Sequence, residues 1–123
     1  MKTIHLVDDS PTILMSLHDI LTKGGHKVEQ SKNGQEALQR FKSGYKPDLI
    51  ITDINMPGMS GIDLVKEIRK LPAYRFVPIL VLTTESQASK RSEGKAAGAT
   101  GWLVKPVAGS DLLNAIKQVL PGA

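Results

Sequence analysis

Five side chains in this sequence could do chemistry together if the fold brought them to one place. Asp8 and Asp9 are adjacent carboxylates, and Asp53 is a third. Thr83 offers a hydroxyl group and Lys105 an ammonium group. Each of them alone has an ordinary explanation, since the aspartate pair could be a solvated turn, the threonine a helix cap and the lysine a surface residue. These five residues therefore indicate a functional site only if the fold brings them close together.

Phosphoryl transfer is the chemistry that such a cluster would favour. Two carboxylates about 4 Å apart repel by roughly 4 kcal/mol at an effective dielectric constant of about 20, so a cation or protons must relieve the crowding. The donors are all oxygen atoms, with no histidine or cysteine nearby in the sequence, and this favours Mg²⁺ or Mn²⁺ over zinc. A carboxylate nucleophile, a metal ion and hydroxyl and ammonium groups for an oxyanion together compose a phosphoryl-transfer site.

Apolar runs that end close to these five residues predict the strands of a sheet. Residues 3–7 form the first strand, residues 49–51 a strand buried on both faces, residues 79–82 the most apolar strand and residues 101–104 the last. Residues 28–31 are more polar, which favours a place at the edge of the sheet.

Amphipathic patterns with capping residues predict a helix after each strand. Ser10 precedes Pro11, and Asn33 and Ser60 each stand three residues before an acidic residue, as helix caps commonly do. The helix predicted over residues 86–97 has only alanines to bury. We therefore expect it to be the least firmly anchored of the five.

The alternation of strands and helices predicts an α/β fold with a five-stranded parallel sheet, right-handed crossovers and helices on both faces. The carboxyl ends of parallel strands share one edge, where open α/β sheets bind ligands. Asp8, Asp9, Asp53, Thr83 and Lys105 are all predicted to lie at that edge. The sequence thus predicts one functional cluster drawn from four strands.

Length and composition exclude several other classes of protein. The 123 residues leave room for one domain with a core, and no apolar run approaches the roughly 20 residues of a membrane span. The amino terminus has no signal-peptide pattern, and the absence of cysteine fits the cytosol, so a cytoplasmic protein without a membrane partner is expected. A net charge of +4 is scattered along the chain and aromatic residues are few, so nucleic acid is not an expected partner. His5, His18 and His26 are expected to be structural or surface residues rather than ligands.

Four motifs resemble the receiver domain of two-component response regulators, most closely the single-domain chemotaxis (CheY) type. The resemblance covers essentially the whole chain, so residues 1–123 are expected to form one receiver domain with the flavodoxin-like strand order 2-1-3-4-5. The motifs are Val7-Asp8-Asp9-Ser10, Asp53-Ile54-Asn55-Met56-Pro57-Gly58-Met59-Ser60-Gly61, Leu82-Thr83-Thr84-Glu85 and Gly98-Ala99-Thr100-Gly101-Trp102-Leu103-Val104-Lys105-Pro106.

The resemblance implies a role for each charged residue of the cluster. Asp53 would be the phosphoacceptor, acting as the nucleophile towards a phosphohistidine of the kinase. Asp8 and Asp9 would hold Mg²⁺ together with Asp53 and the backbone carbonyl of Asn55, with Mn²⁺ as a possible substitute. Lys105 would contact the phosphoryl oxygens.

The resemblance also implies a conformational switch. Thr83 would turn towards the phosphoryl group and Trp102 would follow it inward, while Thr84 and Glu85 would line the mouth of the site. Trp102 stands where tyrosine or phenylalanine is frequent in the family, and Thr84 where alanine is often found. The Lys105-Pro106 bond is expected to be cis, an isomer that only X-Pro bonds adopt at low cost.

As the resemblance implies, the protein would be a signalling switch that catalyses only its own phosphorylation and dephosphorylation. A CheA-like histidine kinase would phosphorylate it, and a phosphatase is a possible further partner. Its effector, a flagellar switch protein or another protein, would dock on helix four, strand five and helix five. The expected setting is chemotaxis and control of flagellar rotation.

Three alternatives remain at this stage. Within the family, the protein could be a phosphorelay carrier or a phosphate sink that competes for the same kinase. A phosphatase of the haloacid dehalogenase type would need Asp-x-Asp after the first strand, and Ser10 occupies the second position. A transcription regulator would need a DNA-binding domain after the last helix, and the sequence stops at Ala123.

Overall fold

The structure is a computed structural model that describes residues 2–122, in which five strands and five α-helices alternate along the chain, with a 3₁₀ turn at Pro72–Tyr74. The strands are β1 (Thr3–Val7), β2 (Lys27–Ser31), β3 (Leu49–Thr52), β4 (Ile79–Thr83) and β5 (Gly101–Val104). The helices are α1 (Pro11–Lys23), α2 (Gly34–Lys42), α3 (Gly61–Arg69), α4 (Ala88–Ala97) and α5 (Gly109–Val119). The predicted elements are all present, and β2, β3 and β4 are each one residue longer than expected.

All neighbouring strands are parallel, in the order β2-β1-β3-β4-β5. This confirms both the predicted fold class and the edge position of the polar strand β2. Val7 lies opposite Thr52 in the register, and Thr83 lies opposite Val104. The carboxyl ends of the strands are therefore aligned, and the residues that follow them meet at one edge.

Each face of the sheet carries its own apolar core. Buried residues of α1 and α5, such as Leu17 and Ile116, pack on Leu6 and Leu80 on one face. On the other face, residues of α2 and α3 pack with the strands around Ile50. Because both faces are covered, the central strands β3 and β4 are buried throughout and hold the ends of the strands rigidly.

The predicted caps start three of the helices. Ser10 Oγ accepts a hydrogen bond from the Ile13 amide at 3.3 Å, and Asn33 Oδ1 accepts one from the Glu36 amide at 2.8 Å. Ser60 caps α3 in the same way. Charge follows the helix dipole, with acidic residues in the first turns of α2, α3 and α5 and basic residues in the last turn of every α-helix.

Helix α4 is held weakly at its amino-terminal end. It begins at Ala88 rather than at the predicted Ser86, because Gln87 adopts an extended backbone (φ −63°, ψ 134°) and makes no side-chain cap. Gly94 is its buried residue, and the rest of the helix is exposed or half-buried. The expectation of a weakly anchored helix therefore fits its burial.

The carboxyl-terminal end of α4 is fastened by Arg69 at the end of α3. The guanidinium group donates to the carbonyl oxygen of Gly98 through Nε (3.1 Å) and Nη2 (2.8 Å). Its Nη1 donates to the carbonyl oxygens of Tyr74 and Val77, both at 2.7 Å. One half-buried cation thus joins the end of α3, the segment before β4 and the end of α4.

The histidines occupy structural or surface positions, as predicted. His5 is fully buried, with Nε2 2.7 Å from Ser31 Oγ and Nδ1 3.2 Å from the Tyr45 hydroxyl. Burial, reinforced by the positive charge of Arg40, lowers the pKa of His5 from 6.5 to about 4. His26 is also buried and His18 is exposed.

No helix within residues 2–122 has the length and apolar character needed to cross a bilayer.

Candidate functional site

Three carboxylates converge at the carboxyl edge of the sheet. Asp8 and Asp9 follow β1, Asp53 follows β3, and one oxygen of each lies within 4.8 Å of the others. We call these three residues the acid cluster. Asp8 is buried, Asp53 is half-buried and Asp9 is exposed. The predicted crowding of carboxylates is therefore present.

Lys105 is the cation that pairs with Asp8 and Asp53 of the acid cluster. Its Nζ atom, just beyond β5, donates to Asp8 Oδ2 at 2.9 Å and to Asp53 Oδ2 at 3.1 Å. Burial alone would lower the pKa of Lys105, but its hydrogen bonds and charge interactions with the two aspartates outweigh burial and raise the pKa above its usual value. The ammonium group therefore stays charged, while Asp9 makes no ion pair among residues 2–122.

Backbone amides orient the other oxygen of each paired aspartate. The Ser10 amide donates to Asp8 Oδ1 at 3.0 Å, and the Ile54 amide donates to Asp53 Oδ1 at 2.6 Å. Sequence reasoning missed both donors, because side-chain types do not reveal which loop amides turn towards a carboxylate. Both carboxylates are consequently held from two sides.

Gly61 allows the loop after Asp53 to close on the start of α3. A Cβ atom at this position would collide with the backbone carbonyl of Asp53. The Gly61 amide also donates to the carbonyl oxygen of Ile54 at 2.9 Å. Sequence reasoning recorded Gly61 only as part of a motif. Its signal was the Ser-Gly pair at a helix start shortly after the aspartate.

Thr83 and Trp102 meet at the backbone of Glu85. Thr83 is fully buried at the end of β4, and its Oγ1 accepts a hydrogen bond from the Glu85 amide at 3.2 Å. Trp102 Nε1 donates to the Glu85 carbonyl oxygen, also at 3.2 Å. The residue predicted to line the mouth of the site therefore also connects Thr83 to the indole ring.

The remaining predicted residues lie in the loops around this edge. Asn55 follows β3 and Thr84 follows β4, and both are exposed. The Lys105-Pro106 peptide bond is cis, as expected. The structure thus brings Asp8, Asp53 and Lys105 into direct contact, with Asp9 beside them.

The donors at this edge match a hard divalent cation. All three side chains of the acid cluster offer carboxylate oxygens, and Asp9 turns its charge towards solvent. Mg²⁺ prefers one or two carboxylates and keeps several water ligands, so a cluster that is open to solvent at Asp9 suits it better than a closed cage would. The cluster could therefore bind such an ion.

Comparisons with known proteins agree with this geometry. The family model described as the response regulator receiver domain matches residues 4–117. Protein PilH of Pseudomonas aeruginosa is 36% identical over 122 residues, which cover 99% of this chain and 100% of PilH. Among solved structures, the chemotaxis protein CheY4 of Vibrio cholerae superposes with a TM-score of 0.92 at 44% identity, covering 98% of this chain and 99% of CheY4.

A third relative bears on the metal. The response regulator TrrA of Thermotoga maritima, solved in complex with Mg(2+)-BeF, has a TM-score of 0.85 and 37% identity and covers 98% of this chain and 100% of its own. The members of this family are signalling switches rather than conventional enzymes. On the family match, the fold and the arrangement of the edge residues, the chain belongs to the response regulator receiver domain family.

Proposed function

We propose that this protein is a response regulator that accepts a phosphoryl group on Asp53 from a phosphohistidine of a histidine kinase. The observation that carries the proposal is the position of the Asp53 carboxylate, within 4.8 Å of Asp8 and Asp9 and 3.1 Å from the Lys105 ammonium group. In the transfer, the P–N bond of the phosphohistidine breaks and a P–O bond to Asp53 forms. The protein catalyses no other reaction than its own phosphorylation and dephosphorylation.

Asp8, Asp9 and Asp53, with the backbone carbonyl of Asn55, would hold Mg²⁺, and Mn²⁺ is an acceptable substitute. The bound ion would supply positive charge to the oxygens of the transferring group. Asp53 needs no general base, because an ionised carboxylate is already a nucleophile. Lys105, whose Nζ lies 3.1 Å from Asp53 Oδ2, would donate to a phosphoryl oxygen on Asp53.

Thr83 would transmit the effect of phosphorylation from Asp53 to Glu85 and Trp102. Its oxygen accepts from the Glu85 amide, which leaves the hydroxyl proton available to a phosphoryl oxygen. A small rotation of Thr83 would then move the Glu85 backbone, to which Trp102 is bonded. The signal would reach α4, since that helix follows Glu85 and packs on Trp102.

The output surface that we propose is formed by α4, β5 and α5. A groove of about 470 Å³ lies between α4 and β5. It is lined by Ala88, Arg91, Ser92, Lys95, Ala99, Thr100, Gly101 and Trp102. The basic side chains at its rim favour an effector with an acidic segment, and a flagellar switch protein is the effector that we propose.

The cellular setting forms part of the same proposal. We assign the protein to chemotaxis, because CheY4 is named a chemotaxis protein. A CheA-like kinase would be the donor and a phosphatase a further partner, both in the cytoplasm. We also propose that residues 1–123 form one receiver domain, with the family match over residues 4–117 in support.

Labelling with a purified phosphohistidine donor tests the proposal. The wild-type protein should accept label in the presence of Mg²⁺, and both chelation of the metal and Asp53→Asn should abolish labelling. Asp63→Asn is the matched control, because Asp63 is an exposed aspartate in the first turn of α3. It should be labelled like the wild type. Retained stoichiometric labelling of a folded Asp53→Asn protein would refute the assignment.

A further inference from the structure

Gly94 lies where α4 crosses the indole ring of Trp102. A Cβ atom at position 94 would stand 2.7 Å from Cζ3 and 3.1 Å from Cε3 of that ring, which is too close without a shift of the ring or the helix. The backbone does not require glycine here, since Gly94 is not among the residues with positive φ. A glycine within a helix is less favourable than alanine, because its backbone loses more conformational freedom on folding. The need to leave space for the Trp102 ring therefore explains why glycine occupies position 94.

The ring is held in this place from two other directions. Its Nε1 atom donates to the Glu85 carbonyl oxygen at 3.2 Å. The ring also packs against a small buried cluster formed by Ile54, Ile62 and Val81. Trp102 is nevertheless only half-buried, and the groove between α4 and β5 opens beside it. A ring that leaves Gly94 can therefore turn into that groove and towards solvent.

We propose that Gly94 is a positioning residue that sets the balance between an inward and an outward Trp102. Any side chain at position 94 would close the space under the helix and favour the outward ring. An outward ring would occupy the groove that an effector is proposed to enter. The regulatory meaning of this balance rests on the proposed phosphorylation switch, whereas the contact between Gly94 and the ring does not.

A double-mutant cycle tests the contact. Gly94→Ala should lower the urea midpoint of unfolding, or leave it unchanged, while Trp102 is present, because the gain in helix propensity is offset by the clash. In a Trp102→Leu background the same substitution should raise the midpoint, since only the gain remains. Ser89→Ala, at an exposed position of α4 outside the groove, is the control and should give the same change in both backgrounds. A Gly94→Ala effect of equal sign and size in both backgrounds would overturn the proposal.

Fluorescence of the single tryptophan then separates positioning from simple packing. Gly94→Ala should shift Trp102 emission to longer wavelength and raise its acrylamide quenching by at least half. A lower urea midpoint with unchanged emission and quenching would mean that the contact is only structural, which would also overturn the proposal.

Beryllium fluoride with Mg²⁺, a mimic of the acyl phosphate, distinguishes this proposal from the proposed function. It should change the emission of the wild type and change that of Gly94→Ala by less than half as much. If it alters neither protein while Gly94→Ala raises the urea midpoint only in the Trp102→Leu background, the phosphorylation switch fails and the positioning role of Gly94 stands. If it alters both proteins equally, the switch stands and the role of Gly94 is refuted.

Discussion

The charge balance of the acid cluster can be tested by removing its cation. Lys105 lies 2.9 Å from Asp8 and 3.1 Å from Asp53, and the three side chains are 13%, 5% and 12% exposed. At an effective dielectric constant of about 20, each contact represents a gross attraction of roughly 5–6 kcal/mol, most of which offsets the loss of hydration. Removing one partner of a buried pair generally costs about 3–5 kcal/mol, because the other charge is left unpaired. We expect a loss of that size for Lys105→Met in metal-free buffer.

Removing an anion from the same cluster should have the opposite effect. Asp9 is exposed, so water screens its repulsion with Asp8 and Asp53 to about 1 kcal/mol at most for each pair. Asp9→Ala should therefore raise the free energy of unfolding slightly in metal-free buffer. It should also abolish most of the stabilisation by Mg²⁺, since a proposed metal ligand is gone.

Urea denaturation followed by circular dichroism, with chelator and with saturating Mg²⁺, measures both effects. Mg²⁺ should restore more stability to Lys105→Met than to the wild type, because the ion replaces the missing positive charge. Lys95→Met removes an exposed lysine and is the control, which should behave as the wild type does. The reasoning is refuted if Lys105→Met is as stable as the wild type without metal, or if Asp9→Ala is destabilised there.

Two further predictions concern groups away from the acid cluster. The folded protein keeps His5 neutral down to a pKa of about 4, whereas the unfolded chain binds a proton below about 6.5, so stability is lost as the pH falls through this window. The free energy of unfolding should decrease there by up to about 1.4 kcal/mol per pH unit, and a His5→Gln variant with an equally steep decrease would contradict the assignment. Arg69→Met removes the hydrogen bonds to Gly98 and should lower stability by about 2–4 kcal/mol, with faster amide hydrogen exchange over residues 98–100. Lys66→Met, an exposed control on the same helix, should change neither quantity, and unchanged exchange in Arg69→Met would show that the guanidinium does not fasten α4.

The edge of the sheet was predictable because simple rules govern it. Apolar runs mark the strands, alternation with helices makes them parallel, and parallel strands place their carboxyl ends together. Successive members of the set Asp8, Asp53 and Lys105 are 45 and 52 residues apart in sequence. Their placement at the same edge of the sheet follows from those rules alone. The strand order came from the family resemblance instead, since alternation is compatible with more than one order.

The features that were not predictable depend on loop backbone and on contacts between elements. Helix propensity continues through Ser86 and Gln87, yet the chain is extended there and α4 starts later. The amide of Ile54 reaches Asp53 only because of the loop conformation after β3. The match between Gly94 and Trp102 joins a helix to a strand, and no periodicity in the sequence reports such a pair.

The ordering of charged residues along the helices has a consequence for the whole molecule. Every helix begins at the edge where the strands end, so the acidic first turns of α2, α3 and α5 add to the acid cluster, whereas the basic last turns of all five helices lie at the opposite end. Although the net charge is +4, the protein therefore has a negatively charged end and a positively charged end. In the electric field of an approaching charged macromolecule, a protein with such a dipole rotates to align with the field before any side chains touch. A partner with a positive surface is thus turned towards Asp9 and Asp53 during diffusion, at a rate that falls as salt screens the field.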